Sequence, residues 1–222
     1  HMVKLDISSC FLSFPVHPAD FKYYVAKCGD AYLQFERMVF GLKSAPRVAS
    51  LLLDVVSSAM ADAGILHVRY LDDFLLMATS PEQAWASAHT AALILQRFGL
   101  ALSPEKVEGP SQVLEFLGIV INSVDQTLSI STERRAELLE LLAGFRRKGW
   151  AGLRKLQSLI GKLNFAVQVL PGARPFLRRM IDLTRGRESG RIQLDDNFRA
   201  DVDYWLTHIS PKNNEFRTAI RK

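Results

Sequence analysis

Arg69-Tyr70-Leu71-Asp72-Asp73-Phe74-Leu75-Leu76-Met77 sets two adjacent carboxylates inside an otherwise apolar run. Val68–Leu71 and Phe74–Met77 are short β-prone stretches, and an acidic two-residue link between them reads as a hairpin turn. Asp-Asp lacks the glycine that tight hairpin turns prefer, and two carboxylates a few ångströms apart repel unless a cation lies between them. A solvated turn explains the position of Asp72 and Asp73. A bound cation explains their chemistry as well.

Upstream, Lys4-Leu5-Asp6-Ile7-Ser8-Ser9-Cys10-Phe11 places Asp6 where an apolar β-run, Val3–Ile7, gives way to two serines. Residues 11–40 mix aromatic and β-branched side chains with turn signals at Pro15, Pro18 and Cys28-Gly29-Asp30, which predicts short strands and loops. A helix is expected from Ser44-Ala45-Pro46, where proline is tolerated in the first turn, to Gly64. A second begins at the capping-box pattern Ser80-Pro81-Glu82-Gln83 and runs to Gly99, with Trp85, Ala88, Ala92 and Leu95 on one face. Short strands around Leu114–Ile121 and Thr127–Ile130 follow. This order predicts an α+β fold, a split βαβ sheet with both helices on one face. Such a sheet allows the first strand and the hairpin to be neighbours, which puts Asp6 across from Asp72, 66 residues away. Three converging carboxylates with no nearby base make a poor core but a good Mg²⁺ site, because hard divalent cations prefer oxygen ligands. Two such ions about 3.5–4 Å apart would stabilise the attacking and leaving oxygens of a phosphoryl displacement.

From Thr132 onward the pattern is helical. Leu153, Leu156, Ile160, Leu163, Val167 and Leu170 form one apolar stripe, with Lys155 and Lys162 on another face. Pro171-Gly172 and Pro175 break the run, and further helices carry Arg178, Arg179 and Arg185, then Trp205. Residues 1–110 hold 9 basic against 11 acidic side chains, whereas residues 111–222 hold 19 against 12. Residues 144–187 carry 11 basic side chains and one acid, Asp182. Such a stretch is either a set of solvated helix faces or a track for a nucleic-acid backbone.

A chain of 222 residues, 48% hydrophobic and 23% charged, is of globular composition and long enough for a substantial core. No apolar run reaches the roughly 18–20 residues of a membrane span and no secretory leader is present, so an intracellular setting, cytoplasmic or nuclear and without a membrane partner, is expected. Cys10 and Cys28 have no metal-site or disulfide spacing and read as free thiols. His1-Met2 reads as an expression remnant.

Five segments, KLDISSCF, FGLKSAP, RYLDDFLLMA, LSPEK and EFLGIVIN, resemble in order and spacing the palm motifs of retrotransposon reverse transcriptases. The later LRKLQSLIGKLNFAVQVLPGARPFLRRM is similar to the thumb of the same polymerases, most of all in retroelements of the tyrosine-recombinase (DIRS) kind. The resemblance implies a palm over residues 3–130 with a partial fingers segment at about 12–40, an all-helical thumb over 131–209, and a tail over 210–222. It implies RNA-directed DNA polymerase activity on an RNA template and a DNA primer with dNTP substrates, supported by two Mg²⁺ or Mn²⁺ ions. Asp6, Asp72, Asp73 and the Ile7 carbonyl would then be the metal ligands, and Lys106 the donor to the pyrophosphate leaving group. Phe11 would lie under the incoming sugar and exclude a 2′-hydroxyl. Phe40-Gly41-Leu42 would support the nucleotide, Phe116-Leu117-Gly118 would be the primer grip, and Lys155, Lys162, Arg174, Arg178 and Arg179 would follow the duplex backbone.

The residues alone allow Phe11 to be core and Lys106 to be a solvated loop lysine. One departure is that the basic fingers region of these polymerases, which holds the triphosphate, precedes the first metal aspartate, so this truncated chain is expected to work with a larger polyprotein that supplies the fingers and a ribonuclease H domain. An RNA-dependent RNA polymerase shares the acidic hairpin, but Phe11 argues against it. A domain that binds nucleic acid or protein without turnover is the non-enzyme alternative.

Overall fold

The computed structural model describes residues 1–170, 172–210 and 218–219. They fall into two compact units, His1–Leu114 and Glu115–Lys222. Pro171 and most of the tail over 210–222 lie outside the described residues. Among the described residues no helix is long and apolar enough to cross a membrane.

The first unit opens with β1 (Met2–Asp6), two 3-10 turns at Cys10–Ser13 and Pro18–Tyr23, and the hairpin β2 (Val25–Cys28) and β3 (Ala31–Gln34). Then come α1 (Ala45–Asp62), β4 (His67–Tyr70), β5 (Asp73–Met77), α2 (Pro81–Arg97), a 3-10 turn at Pro104–Lys106 and β6 (Glu108–Ser111). The main sheet has the order β4-β5-β1-β6. Its pairs are antiparallel.

Alternation along β1 and β5 sorts the two faces of this sheet. Val3, Leu5 and Ile7 join Phe74 and Leu76 in a core with Leu53, Val56 and Met60 of α1 and Ala84, Ala88, Ala91 and Leu95 of α2. Both helices therefore cover one face, as expected, and Lys4, Asp6 and Asp73 belong to the other. The helix boundaries follow their signals. Gly64 and Gly99 take positive φ just past α1 and α2. Ser80 Oγ accepts from Gln83 N at 3.2 Å, while Gln83 Oε1 accepts from Thr79 N at 3.2 Å, so the box closes one residue before the cap. The buried face of α2 is rotated from the expected one: Trp85 is 52% exposed, and Ala84 and Ala91 are buried in its stead.

β6 is absent from the sequence reading because Glu-Gly-Pro-Ser has no β signature. It forms because Gly109, at φ +109°, lets its backbone lie against β1: a Cβ there would stand 2.4 Å from the Met2 carbonyl oxygen. Gly109→Ala is expected to destabilise the protein by about 1–3 kcal/mol through forced backbone strain. A denaturation midpoint equal to that of the parent would show that the β1–β6 pairing yields freely.

The second unit contains a sheet in the order β12-β9-β8-β7. Its strands are β7 (Val113–Phe116), which straddles the division between units, β8 (Ile119–Asn122), β9 (Thr127–Ile130) and β12 (Thr218–Ala219). The single strand expected over Leu114–Ile121 is thus a hairpin, turned at Leu117 and Gly118, whose φ values are +52° and +81°. The change from strand to helix falls where it was expected, between β9 and α3 (Thr132–Arg146). β10 (Trp150–Gly152), α4 (Leu153–Ala166), α5 (Arg174–Asp182), β11 (Arg191–Gln193) and α6 (Asp196–Ile209) follow. Leu138 and Leu142 of α3, Leu156 and Leu163 of α4, Met180 of α5 and Trp205 of α6 share one core. The β10–β11 ribbon interrupts the helices and was not legible, since three-residue strands carry no measurable periodicity.

Candidate active site

Asp6 ends β1, and its cross-strand partner is Asp73, the first residue of β5. Tyr70 pairs with Asp73, so the turn proper is Leu71-Asp72 rather than the acidic pair. Leu71 takes φ +51°, the left-handed conformation that glycine would otherwise supply. Ile7 N–H donates to the Asp72 carbonyl at 3.2 Å, which docks the turn on the end of β1. Ile7 itself is buried and forms a bridge with Leu102.

The Asp6 carboxylate is 12% exposed and accepts two hydrogen bonds, from Lys106 Nζ at 2.9 Å and from Ser103 Oγ at 3.0 Å. The Lys106 ammonium is held above its ordinary pKa by that bond to Asp6. Burial pushes the Asp73 carboxyl up, and the neighbouring charges of Asp72 and then Asp6 push it further. Cys10, beneath them, is pushed up to about 11 by burial and then by Asp72, so it stands as an inert thiol. The Asp73 carboxyl thus lies in the field of Asp72 and Asp6, with Lys4 and then Lys106 opposing them. Among the described residues no three carboxylate, imidazole or thiolate side chains stand close enough to enclose an ion as they are. The donors nevertheless suit a hard divalent cation, being oxygens only and beside an exposed lysine side chain.

Arg69 holds the turn and was missed by the sequence reading. Its side chain, 9% exposed, donates to the Leu71 carbonyl at 3.0 Å and the Ser50 carbonyl at 3.2 Å, and pairs with Asp54 of α1. Among the described residues its buried Nε has no hydrogen-bond partner. The available signal was a charge inside an apolar strand, which requires a partner elsewhere in the chain. Ser103, which bonds Asp6, had no sequence signal of its own.

Phe11 is buried with Met38, Ala45 and Ala49, and its ring lies 4.7 Å from that of Phe40, which is 71% exposed. Gly41 follows at φ +95°, and Leu42 packs against the same cluster. In the second unit Phe116 is buried and Leu117 is exposed. At Gly118 a Cβ would stand 2.6 Å from Cζ of Arg134, whose guanidinium also lies 4.7 Å from the Phe165 ring. Arg134 is a second residue passed over, since arginine in a helix gives no sign of what it touches.

The basic residues divide. Lys162 pairs with Glu137, Arg178 with Asp182 at 3.2 Å, and Arg179 with the fully buried Asp201. Lys155 and Arg174 are exposed, and neither has an ion-pair partner among the described residues.

A family model described as reverse transcriptase (RNA-dependent DNA polymerase) matches residues 1–121. Protein P of heron hepatitis B virus is 26% identical over 182 residues, covering 81% of this chain and 23% of its own length. The Gag-Pro-Pol polyprotein of squirrel monkey retrovirus is 27% identical over 133 residues, 55% of this chain and 7% of the polyprotein. The foamy viral protease-reverse transcriptase in complex with an RNA/DNA hybrid superposes with a TM-score of 0.78 at 18% identity, over 94% of this chain and 27% of that one. A foamy viral form in complex with double-stranded DNA gives 0.79 at 16% identity, over 98% and 36%. At those identities the structures establish the fold alone. With the family match spanning the acidic turn, Asp6 and both helices that cover the sheet, the chain belongs to the reverse transcriptase (RNA-dependent DNA polymerase) family.

Proposed function

We propose that this chain is the palm and thumb of an RNA-directed DNA polymerase, adding dNTPs to a primer 3′ end on an RNA template. The observation that carries this is the register that sets Asp6 opposite Asp73 with Asp72 on the adjoining turn. Reverse transcriptases are generally divalent-metal enzymes, and Asp6, Asp72, Asp73 and the Ile7 carbonyl would hold the two Mg²⁺ or Mn²⁺ ions. When bound, such ions neutralise charge on the attacking and leaving oxygens of the phosphoryl displacement.

The chain's own side chains supply the remainder. Lys106, released from Asp6 when a cation takes its place, is the proton donor to the pyrophosphate leaving group. Phe11, fixed by Met38 and Ala49, presents a rigid wall to the sugar, and Phe40-Gly41 supports the nucleotide. Phe116, Leu117 and Gly118 hold the primer end. Lys155 and Arg174 follow the backbone phosphates, while Lys162, Arg178 and Arg179 do so only by leaving their carboxylate partners. Residues 3–130 form the palm with a fingers remnant at about 12–40, and residues 131–209 form the thumb. The motifs of the basic half support an origin in a tyrosine-recombinase retroelement, expressed as part of a polyprotein and acting inside the cell; the adjoining coding sequence should then include a recombinase.

Primer extension tests the reading, run on this chain and on a longer one carrying the preceding fingers segment. Mg²⁺-dependent dNTP incorporation on an RNA template is expected, strongest in the longer chain; no incorporation by either would overturn it. In the longer chain Phe11→Val should admit ribonucleotides on the order of a hundredfold better, the effect of opening space for one hydroxyl at a reacting sugar. Sugar selectivity unchanged after that truncation would reduce Phe11 to a core residue.

A further inference from the structure

Among the described residues of the second unit, six of the 15 basic side chains are engaged with carboxylates. Arg146, Lys162, Arg178, Arg179, Arg185 and Arg199 each hold a carboxylate. Lys148, Arg154, Lys155 and Arg191 have no such partner among the described residues, and these four gather around one hollow of about 710 Å³. The hollow is formed by the β10–β11 ribbon and the start of α4, and its lining includes one acid, Glu188.

The ribbon register fixes what faces outward. Ala151 and Ile192 are opposite one another and buried, which leaves Trp150, Gly152, Arg191 and Gln193 on the other face. Trp150 is 56% exposed and Arg191 lies diagonally across from it. Like charges around one hollow give it a positive potential that attracts a polyanion. An exposed indole beside those charges adds a demand for a flat partner.

We propose that this hollow is a binding site for single-stranded nucleic acid, in which Trp150 stacks against an unpaired base while Lys148, Arg154 and Arg191 hold the flanking phosphates. Combining aromatic faces with a cationic groove is how proteins hold single strands without reading sequence. A paired duplex hides its base faces in the stack and offers Trp150 only edges and backbone. An anionic lipid surface would satisfy the cations, yet it gives the indole nothing to stack on. The site lies within the second unit, and it stands or falls independently of the polymerase reading.

The test uses the whole chain with Trp85→Phe, which leaves Trp150 as the exposed indole, since Trp205 is fully buried. Titration with an oligo(dT) strand should quench Trp150 fluorescence, and log affinity should fall linearly with log salt, by about 0.7 per neutralised phosphate. Trp150→Ala should weaken oligo(dT) binding by on the order of tenfold, the loss typical of a removed base stack, whereas Trp150→Phe should restore most of it. Lys148→Gln combined with Arg154→Gln changes two exposed side chains outside the duplex track and should flatten the oligo(dT) salt slope by about 1.4. Affinity for a blunt duplex should stay within twofold throughout. Oligo(dT) affinity and slope unmoved by both the Trp150→Ala and the double glutamine variants would overturn the proposal. Equal losses on duplex would instead assign the hollow to the duplex track, and anionic vesicles competing as well as oligo(dT) would assign it to a membrane; either result overturns it too. Primer extension on a hairpin with a recessed 3′ end remains the independent reading of polymerase function.

Discussion

Asp72→Asn should abolish metal-dependent behaviour while leaving the metal-free fold as stable as before, or more so. Asp72 is the largest charge pressing on the Asp73 carboxyl after burial itself, so neutralising it relieves repulsion in the folded state. Mg²⁺ or Mn²⁺ at about 100 times its Kd should raise the unfolding free energy of the parent by about 2.7 kcal/mol, and that increment should vanish in the variant. In a polymerising chain the same substitution should lower the extension rate by on the order of a thousandfold, equivalent to about 4 kcal/mol of lost transition-state stabilisation. Thermal unfolding with and without the ion, beside primer extension, reads both effects. An undiminished metal increment in the variant would place the cation elsewhere.

Arg179→Met should cost about 3 kcal/mol at neutral pH. Asp201 is fully buried, and removing the partner of a buried charge leaves it uncompensated. Burial already pushes the Asp201 carboxyl up, with the Arg179 guanidinium opposing that shift. Without Arg179 it rises further. A carboxyl raised in the folded state favours folding below its unfolded value of about 3.9 and loses that advantage as pH climbs through the folded value. The deficit should therefore shrink between pH 7 and pH 5. Urea unfolding at the two pH values checks this. A variant that loses duplex binding while keeping parental stability at both would show that Arg179 serves phosphates and not Asp201.

What was legible in the sequence was whatever local chemistry dictates. Pro46 and Gly64 bracket α1, Ser80 and Gln83 cap α2, and the apolar runs Val3–Ile7 and Phe74–Met77 mark β1 and β5 but not their register, which pairs Asp6 with Asp73 where Asp72 was expected. Asp6 and the acidic turn were readable for the same reason: a charge in an apolar strand is locally anomalous. The failures needed knowledge of distant partners. Trp85 belongs to the apolar pattern of α2 yet faces out, because Ala84 and Ala91 let the helix approach the sheet more closely. Gly109 makes a strand by virtue of Met2, over a hundred residues away. Arg179 reads as a phosphate ligand until Asp201 is seen beneath it, and Arg69 reads as part of a strand until its reach to α1 is known. Side-chain pairing across 15 to 22 residues leaves no periodic trace.

Arg134 occupies the space that any side chain at position 118 would need, and the same guanidinium rests on Phe165 of α4. The Leu117-Gly118 tip and this helix consequently share a single wall, filled on one side by backbone and on the other by an aromatic ring. A displacement of α4 that carries Phe165 with it would be met first by the Arg134 guanidinium, and through it by the backbone of the hairpin tip.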